Sequence, residues 1–319
     1  MSTTYDDLIR RVKTLSERLW EGNGQEPDIR AWLSNFDGRH ARTPEIEHLH
    51  ALHLLSSVSY FGLREMRVLL KALFRDKFRY PIVQQIRQDL GGARDENEIH
   101  RQFAAELAAT RFIGMGNPAE SGTHLLYYFR QENQLSRALF VHQHELLTSA
   151  VTDPSVDFAD PNLKRVVFID DLCGSGEQSV LYSKTLLRDL KHVASLKGRS
   201  IQFQYLVVFG MASGLAVAAR DSDFDVIDAV CELDGTYLTY GPDSRVFRRP
   251  PNGIDKVVSQ QFATGYGAEL VPRWPLGYAN GQLLLAFHHN VPDNSLPILW
   301  YEEGDKPWVA AFRRHLKIN

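Results

Sequence analysis

Cysteine is nearly absent. Cys173 and Cys231 are the only two in 319 residues, too few for a disulfide framework or a four-thiolate zinc site. The start, Met1-Ser-Thr-Thr-Tyr-Asp-Asp7, lacks the basic, apolar and small-residue order of a secretory signal. A reducing, cytoplasmic setting is therefore the expectation. An excess of positive charge is also missing: 36 Lys and Arg against 39 Asp and Glu leave a net charge of −3, so direct nucleic-acid binding is unsupported by the overall charge. No apolar run approaches the ~18 residues that cross a bilayer, which argues against a membrane role. There is no fixed-period repeat and no low-complexity tract. There is no Gly-x-x-x-x-Gly-Lys-Ser/Thr sequence, and the Gly174-Ser175-Gly176 turn lacks the six-residue Rossmann glycine pattern, which argues against the two commonest nucleotide loops. The length exceeds the ~100 to 200 residues of a usual single domain, so a core with additions is expected.

What is present changes character along the chain. Up to about Ala109 apolar residues recur at helical spacing, as in Leu8, Val12, Leu15 and Leu19 and again in Ile99, Phe103 and Leu107. Thr43 before Pro44 supplies an N-cap and a first-turn proline, and Met66, Leu69, Leu70 and Leu73 predict a helix that ends before Pro81. Glycines at 22, 24, 91 and 92 mark breaks. After Thr110 short apolar runs alternate with helices: Arg111 to Met115, Ala138 to His142, Arg165 to Ile169, Phe203 to Phe209 and Val226 to Val230. That rhythm predicts an α/β fold with a mostly parallel sheet and crossover helices. From Thr236 onward Pro, Gly and aromatics dominate, with a strand-like run from Gln282 to His288 and a terminal apolar segment, Leu296 to Trp300. The expected organisation is a helical regulatory or docking region (1–109), an α/β core (110–235), and a lid-like extension packed on the core (236–319).

The segment Val166-Val-Phe-Ile-Asp-Asp-Leu-Cys-Gly-Ser-Gly-Glu-Gln178 carries the chemistry. Val166 to Ile169 predict a buried strand that delivers Asp170 and Asp171 at its carboxyl end, where ligands bind in open α/β sheets. Gly174-Ser175-Gly176 follows directly, and glycine tolerates the positive φ angles that turn successive backbone N–H groups into an anion nest. The next helix, with Leu186, Leu187, Leu190 and Val193 inward, aims its positive end at the same spot, worth about 0.3 to 1 kcal/mol per anionic interaction. The plainer alternative is a strand-turn-helix in which the acids only cap.

This succession resembles the signature loop of type I phosphoribosyltransferases. The resemblance implies a fold of that type, with Asp170 and Asp171 on the ribose hydroxyls of phosphoribosyl pyrophosphate and Gly174, Ser175, Gly176, Glu177 and Gln178 around the 5-phosphate. It also implies Mg²⁺ held through the ligand's oxygens rather than by a dedicated protein site. Gly174 and Gln178 stand where the family usually has Thr, so two hydroxyl donors are replaced, and Glu177 puts a carboxylate beside the phosphate. A second strand-loop-helix, Arg111 to His124, resembles the family's pyrophosphate loop through Glu120, Ser121, Gly122 and Thr123; a simple helix cap explains it as well. The runs Asn117 to Gly122, Tyr127 to Asn133 and Pro292 to Trp300 resemble the divergent phosphoribosyltransferase-like proteins of bacterial conflict (anti-phage) systems. That likeness implies an effector acting on phosphoribosyl pyrophosphate or a nucleotide, released by a partner such as a reverse transcriptase or another nucleic-acid sensor. A non-catalytic sensor of the same ligand is the competing reading.

Other groups are candidates from the residues alone. Glu232, Asp234 and Tyr237 follow the Val226 strand and could read an acceptor or form a surface turn. His289 is a candidate lid residue. His142 with His144, and His288-His289 near Asp293, lack a third ligand at defined spacing for a metal. Arg248 and Arg249 read as a solvated pair. Arg64, Arg67, Lys71, Arg75, Lys77 and Arg79 form a basic stretch that is a nucleic-acid face or, more commonly, a solvated helix face.

Overall fold

The computed structural model describes residues 3–22, 26–92, 95–116, 121–302 and 307–314. In chain order the elements are α1 (Thr3–Arg18), α2 (Glu26–Leu33), α3 (Pro44–Leu55), β1 (Ser59–Phe61), α4 (Leu63–Ala72), α5 (Tyr80–Asp89), α6 (Glu96–Ala108), β2 (Thr110–Gly114), α7 (Ser121–Glu132) and β3 (Arg165–Cys173). They continue with α8 (Glu177–Tyr182), α9 (Arg188–Leu196), β4 (Gln202–Met211), α10 (Ala212–Asp221), β5 (Val226–Leu233), α11 (Lys256–Leu270), β6 (Leu285–Phe287) and α12 (Pro297–Trp300). Among the described residues no helix is long and apolar enough to cross a membrane.

The chain forms two compact units, Arg67–Glu232 and Met1–Met66 with Leu233–Asn319. Each unit has an aromatic core of its own. In the 67–232 unit, Phe78 meets both Phe103 and Phe112, and Phe112 meets Phe129, with ring centroids 5.1 to 6.4 Å apart. Helices α5 to α7 therefore belong with the sheet. In the other unit Trp20, Trp32, Phe36 and Leu52 share a core with Phe262, Tyr266, Ile298 and Leu299, and the Trp32 indole donates to the Ile298 carbonyl at 2.7 Å.

The 67–232 unit is the α/β part. Its sheet runs β2-β3-β4-β5, with β2/β3 and β3/β4 parallel. Strand residues alternate faces: Phe112 joins the aromatic helices, whereas Val166, Phe168, Phe203, Tyr205 and Val207 pack with Leu187, Leu190, Val193 and Ala218 of the helices after β3 and β4. Burial on both faces explains why these strands read as continuous apolar runs.

Three local expectations change. The Ala138 to His142 run is not a sheet strand: Arg137–Leu139 is a 3₁₀ turn capped by the Ser136 hydroxyl, and Phe140 only bridges Phe112. Leu73–Arg79 is π-helical, with the Tyr80 N–H donating to the Arg75 carbonyl, so the helix continues through Pro81, whose missing N–H falls at the start of α5. The segment from 236 onward includes a 15-residue helix, α11, begun by an Asp255 side chain that accepts from the Val258 N–H at 2.9 Å.

Candidate phosphate- and ribose-binding site

Strand β3 continues past its apolar stretch to Cys173, so both acids sit within its last four residues. They differ in setting. Asp170 is only 5% exposed, and both of its oxygens have donors from the chain: the Asp171 N–H at 2.9 Å and the Tyr205 hydroxyl, from β4, at 3.2 Å. Burial pushes the Asp170 carboxyl well above the usual carboxylate range; the neighbouring Asp171 charge and a carboxyl–carboxyl hydrogen bond add to this, and the Asp171 N–H and Tyr205 bonds oppose it. Asp171 is half-buried and is the solvent-facing member of the pair. Burial, then the Asp170 charge, also pushes the Cys173 thiol up to about 12, so this cysteine is a neutral packing group rather than a nucleophile.

After Cys173 the chain turns through Gly174 and Ser175 to Gly176, whose φ of 81° caps helix α8 from the left-handed region. The Ser175 hydroxyl accepts from the Glu177 N–H at 3.3 Å, and the Ser179 hydroxyl donates to the Gly176 carbonyl at 2.7 Å. Helix α8 runs through a π-helical stretch, Ser183–Leu187, into α9, so the positive end of a long helical segment faces the turn. Glu177 and Gln178 are exposed on its first turn. The Glu177 charge thus stands in solvent, beside the helix end that favours a negative charge.

The second loop leaves the sheet at the same edge. Gly114, the last residue of β2, pairs with Ile169 of β3, and the Met115 N–H donates to the Ile169 carbonyl at 2.9 Å. The loop after β2 therefore begins one residue short of Asp170. Of its candidates, Glu120 lies outside the described residues; Ser121, Gly122 and Thr123 form the backbone of the first turn of α7, and their side chains also lie outside the described residues.

A family model designated PRTase-CE matches residues 29–314, most of the chain. The chain belongs to the PRTase-CE family. Among solved structures, this PRTase-CE protein is similar to the orotate phosphoribosyltransferase of Aeropyrum pernix, at 16% identity over 51% of this chain and 76% of that one, with a TM-score of 0.23. It is also similar to the xanthine-guanine-hypoxanthine phosphoribosyltransferase of Helicobacter pylori, at 12% identity over 55% and 88%, with a TM-score of 0.26. No curated protein matches it.

The other candidates of this PRTase-CE chain are placed as follows. Glu232 is exposed on β5, at the end of the 67–232 unit, whereas Asp234, Tyr237 and His289 belong to the other unit. Asp234 caps a short turn by accepting from the Thr236 N–H at 2.9 Å, and the Arg245 guanidinium covers the Tyr237 ring 3.3 Å from its centroid. Both are engaged as turn residues. His289 stacks on Phe287, and His142 on His144; among the described residues no three His, Cys, Asp or Glu side chains are grouped to hold a metal. Arg248 and Arg249 are exposed.

The basic stretch is largely neutralised. Arg67 and Lys71 share Glu132, Arg75 pairs with Asp76 and Lys77 with Asp228, while Arg79 lies over Phe103. Reading the sequence alone passed over two residues of the site. Tyr205 is hidden in an apolar strand, and its only signal is a phenol two places into the run Phe203 to Phe209. Gly214, in the first turn of α10, packs against the Gly174 carbonyl.

Proposed function

We propose that this protein binds phosphoribosyl pyrophosphate or a nucleotide at residues 170–178 and carries out phosphoribosyl or glycosyl transfer, or nucleotide breakdown, as an effector of bacterial anti-phage defence. The observation that carries this reading is the junction itself: a parallel strand has a buried and a half-buried acid among its last four residues, and after a three-residue turn a Gly176-capped helix begins at Glu177. A ribose hydroxyl is met by the acids, and a phosphate by the turn amides and the helix end. Membership of a phosphoribosyltransferase-like family supports the same ligand class.

In the reaction, the bond from ribose C1 to its leaving group breaks and the electron pair departs with the leaving group. A new bond forms to an acceptor nitrogen or to water oxygen. Positive charge grows on the sugar ring, and the Asp171 carboxylate stabilises it electrostatically, with the buried Asp170 holding its neighbour's N–H in place. Mg²⁺, which would be held with the ligand beside Asp171, would supply neutralisation of charge on the leaving group. The donor set fits that role, since Asp171 offers a half-exposed carboxylate beside the ligand. The defence role and a nucleic-acid-sensing partner, such as a reverse transcriptase, rest on the sequence likeness alone.

A non-catalytic sensor is the second reading, favoured by one observation: the chain itself supplies donors to both Asp170 oxygens. Nucleotide and phosphoribosyl pyrophosphate pools, measured in cells expressing the protein with its partner, separate the two. The enzyme reading expects pools to fall several-fold with the wild-type chain and to stay level with the Asp170→Asn, Asp171→Asn double variant. Equal pools with a surviving cellular effect would reject it in favour of the sensor.

A further inference from the structure

Gly214 takes no part in the reaction outlined above, yet the loop cannot sit where it does without it. A Cβ added at Gly214 would fall on the Gly174 carbonyl oxygen and come within 3.2 Å of the Cys173 carbonyl oxygen. The contact is reciprocal, since a Cβ at Gly176 would stand 2.5 Å from the Gly214 carbonyl oxygen and 3.1 Å from Val217 Cβ. Real Cβ atoms do not approach backbone this closely, and a packed turn has no soft side chain to yield.

The consequence is directional. In a trans peptide the C=O and N–H point opposite ways. With the Cys173 and Gly174 carbonyls seated against α10, the Gly174 and Ser175 amides are turned away from it. We propose that Gly214 is a positioning residue for the phosphate loop: its missing side chain lets two loop carbonyls seat on α10, which aims the following amides at the ligand. The inference rests on the phosphate-binding reading of residues 174–178. A glycine needed only for tight packing would affect stability and nothing else.

The test compares Gly214→Ala with Val193→Ala, which removes methyl groups from the fully buried α9 face of the same unit. Each variant is titrated with phosphoribosyl pyrophosphate and Mg²⁺, and separately with inorganic phosphate, while hydrogen exchange follows the amides of residues 174–178. Gly214→Ala is expected to weaken both ligands by about tenfold or more and to speed exchange of the loop amides. Val193→Ala is expected to lower Tm while holding affinity within about twofold. Wild-type affinity in Gly214→Ala, or a loss matched by Val193→Ala at equal Tm, overturns the positioning role. If the wild type binds neither probe, the ligand reading fails and the positioning role falls with it, whereas wild-type binding that Gly214→Ala leaves intact rejects the positioning role alone. Should Gly214→Ala not fold, Val217→Ala trims the α10 side chain that faces Gly176 at the other end of the turn, and unchanged loop exchange there counts against the proposal.

Discussion

Asp171→Asn is expected to weaken binding of phosphoribosyl pyrophosphate by roughly 100-fold, the largest loss from any single conservative change in the site. Asp171 is the half-exposed acid at the end of β3 and the one that solvent, and hence a ribose hydroxyl, can reach. A hydrogen bond to a charged group contributes about 1.5 to 3 kcal/mol, so losing the charge at two hydroxyls amounts to ~3 kcal/mol, near two decades in affinity. Asp170→Asn is expected to lose about tenfold or less, because asparagine keeps an acceptor for the Tyr205 hydroxyl or the Asp171 N–H. Calorimetric titration of both variants measures the difference. Equal losses would assign both acids the same role, and a wild-type Asp171→Asn would remove the pair from the ligand altogether.

The second large effect is on stability, and its sign depends on pH. Burial raises the Asp170 carboxyl in the folded chain above its unfolded value of about 3.9. Such a group favours the folded state fully below pH ~4, and that contribution is lost as pH rises toward the raised folded value. Asparagine has no proton to lose. Asp170→Asn should therefore gain on the wild type as pH rises from 5 to 8, by up to about 1.4 kcal/mol for each pH unit while the wild-type carboxyl stays protonated when folded. Among the described residues Asp171, Tyr205 and Cys173 are titratable groups facing Asp170, so the cleanest comparison holds all three constant. Urea unfolding at pH 5, 6, 7 and 8 gives the measurement. A stability difference that does not change with pH would mean that Asp170 is ionised in the folded protein like any surface acid. A residue that weakens the fold at working pH, yet whose removal harms binding, is what a functional carboxyl looks like energetically.

Much of the α/β part was legible because its signals are local. The Val166 to Ile169 run, the acids after it and the Gly174-Ser175-Gly176 turn specify a strand, an edge and a helix start within a dozen residues, and Thr43 caps α3 as its spacing predicts. Ala138 to His142 misled because Ser136 offers a local hydroxyl cap that outcompetes ladder pairing. Pro81 misled because a π-helical stretch absorbs the proline within a continuing helix. The limits of the compact units carried no compositional mark: α4 runs through Met66 and Arg67 without a break, and the partners of Trp32 and Phe36 lie more than 200 residues away. Tyr205 and Gly214 were invisible for a related reason. Each acts through a contact made by the pairing of β3 with β4 or by the packing of α10, and one strand's own sequence does not encode its neighbour.

Titration of the wild-type protein with phosphoribosyl pyrophosphate, in the presence and absence of Mg²⁺, tests most directly whether residues 170–178 bind phosphate and ribose. Saturable binding at one site, strengthened by Mg²⁺ and lost in the Asp170→Asn, Asp171→Asn double variant, is the predicted result. No binding, or binding that the double variant keeps intact, would contradict it.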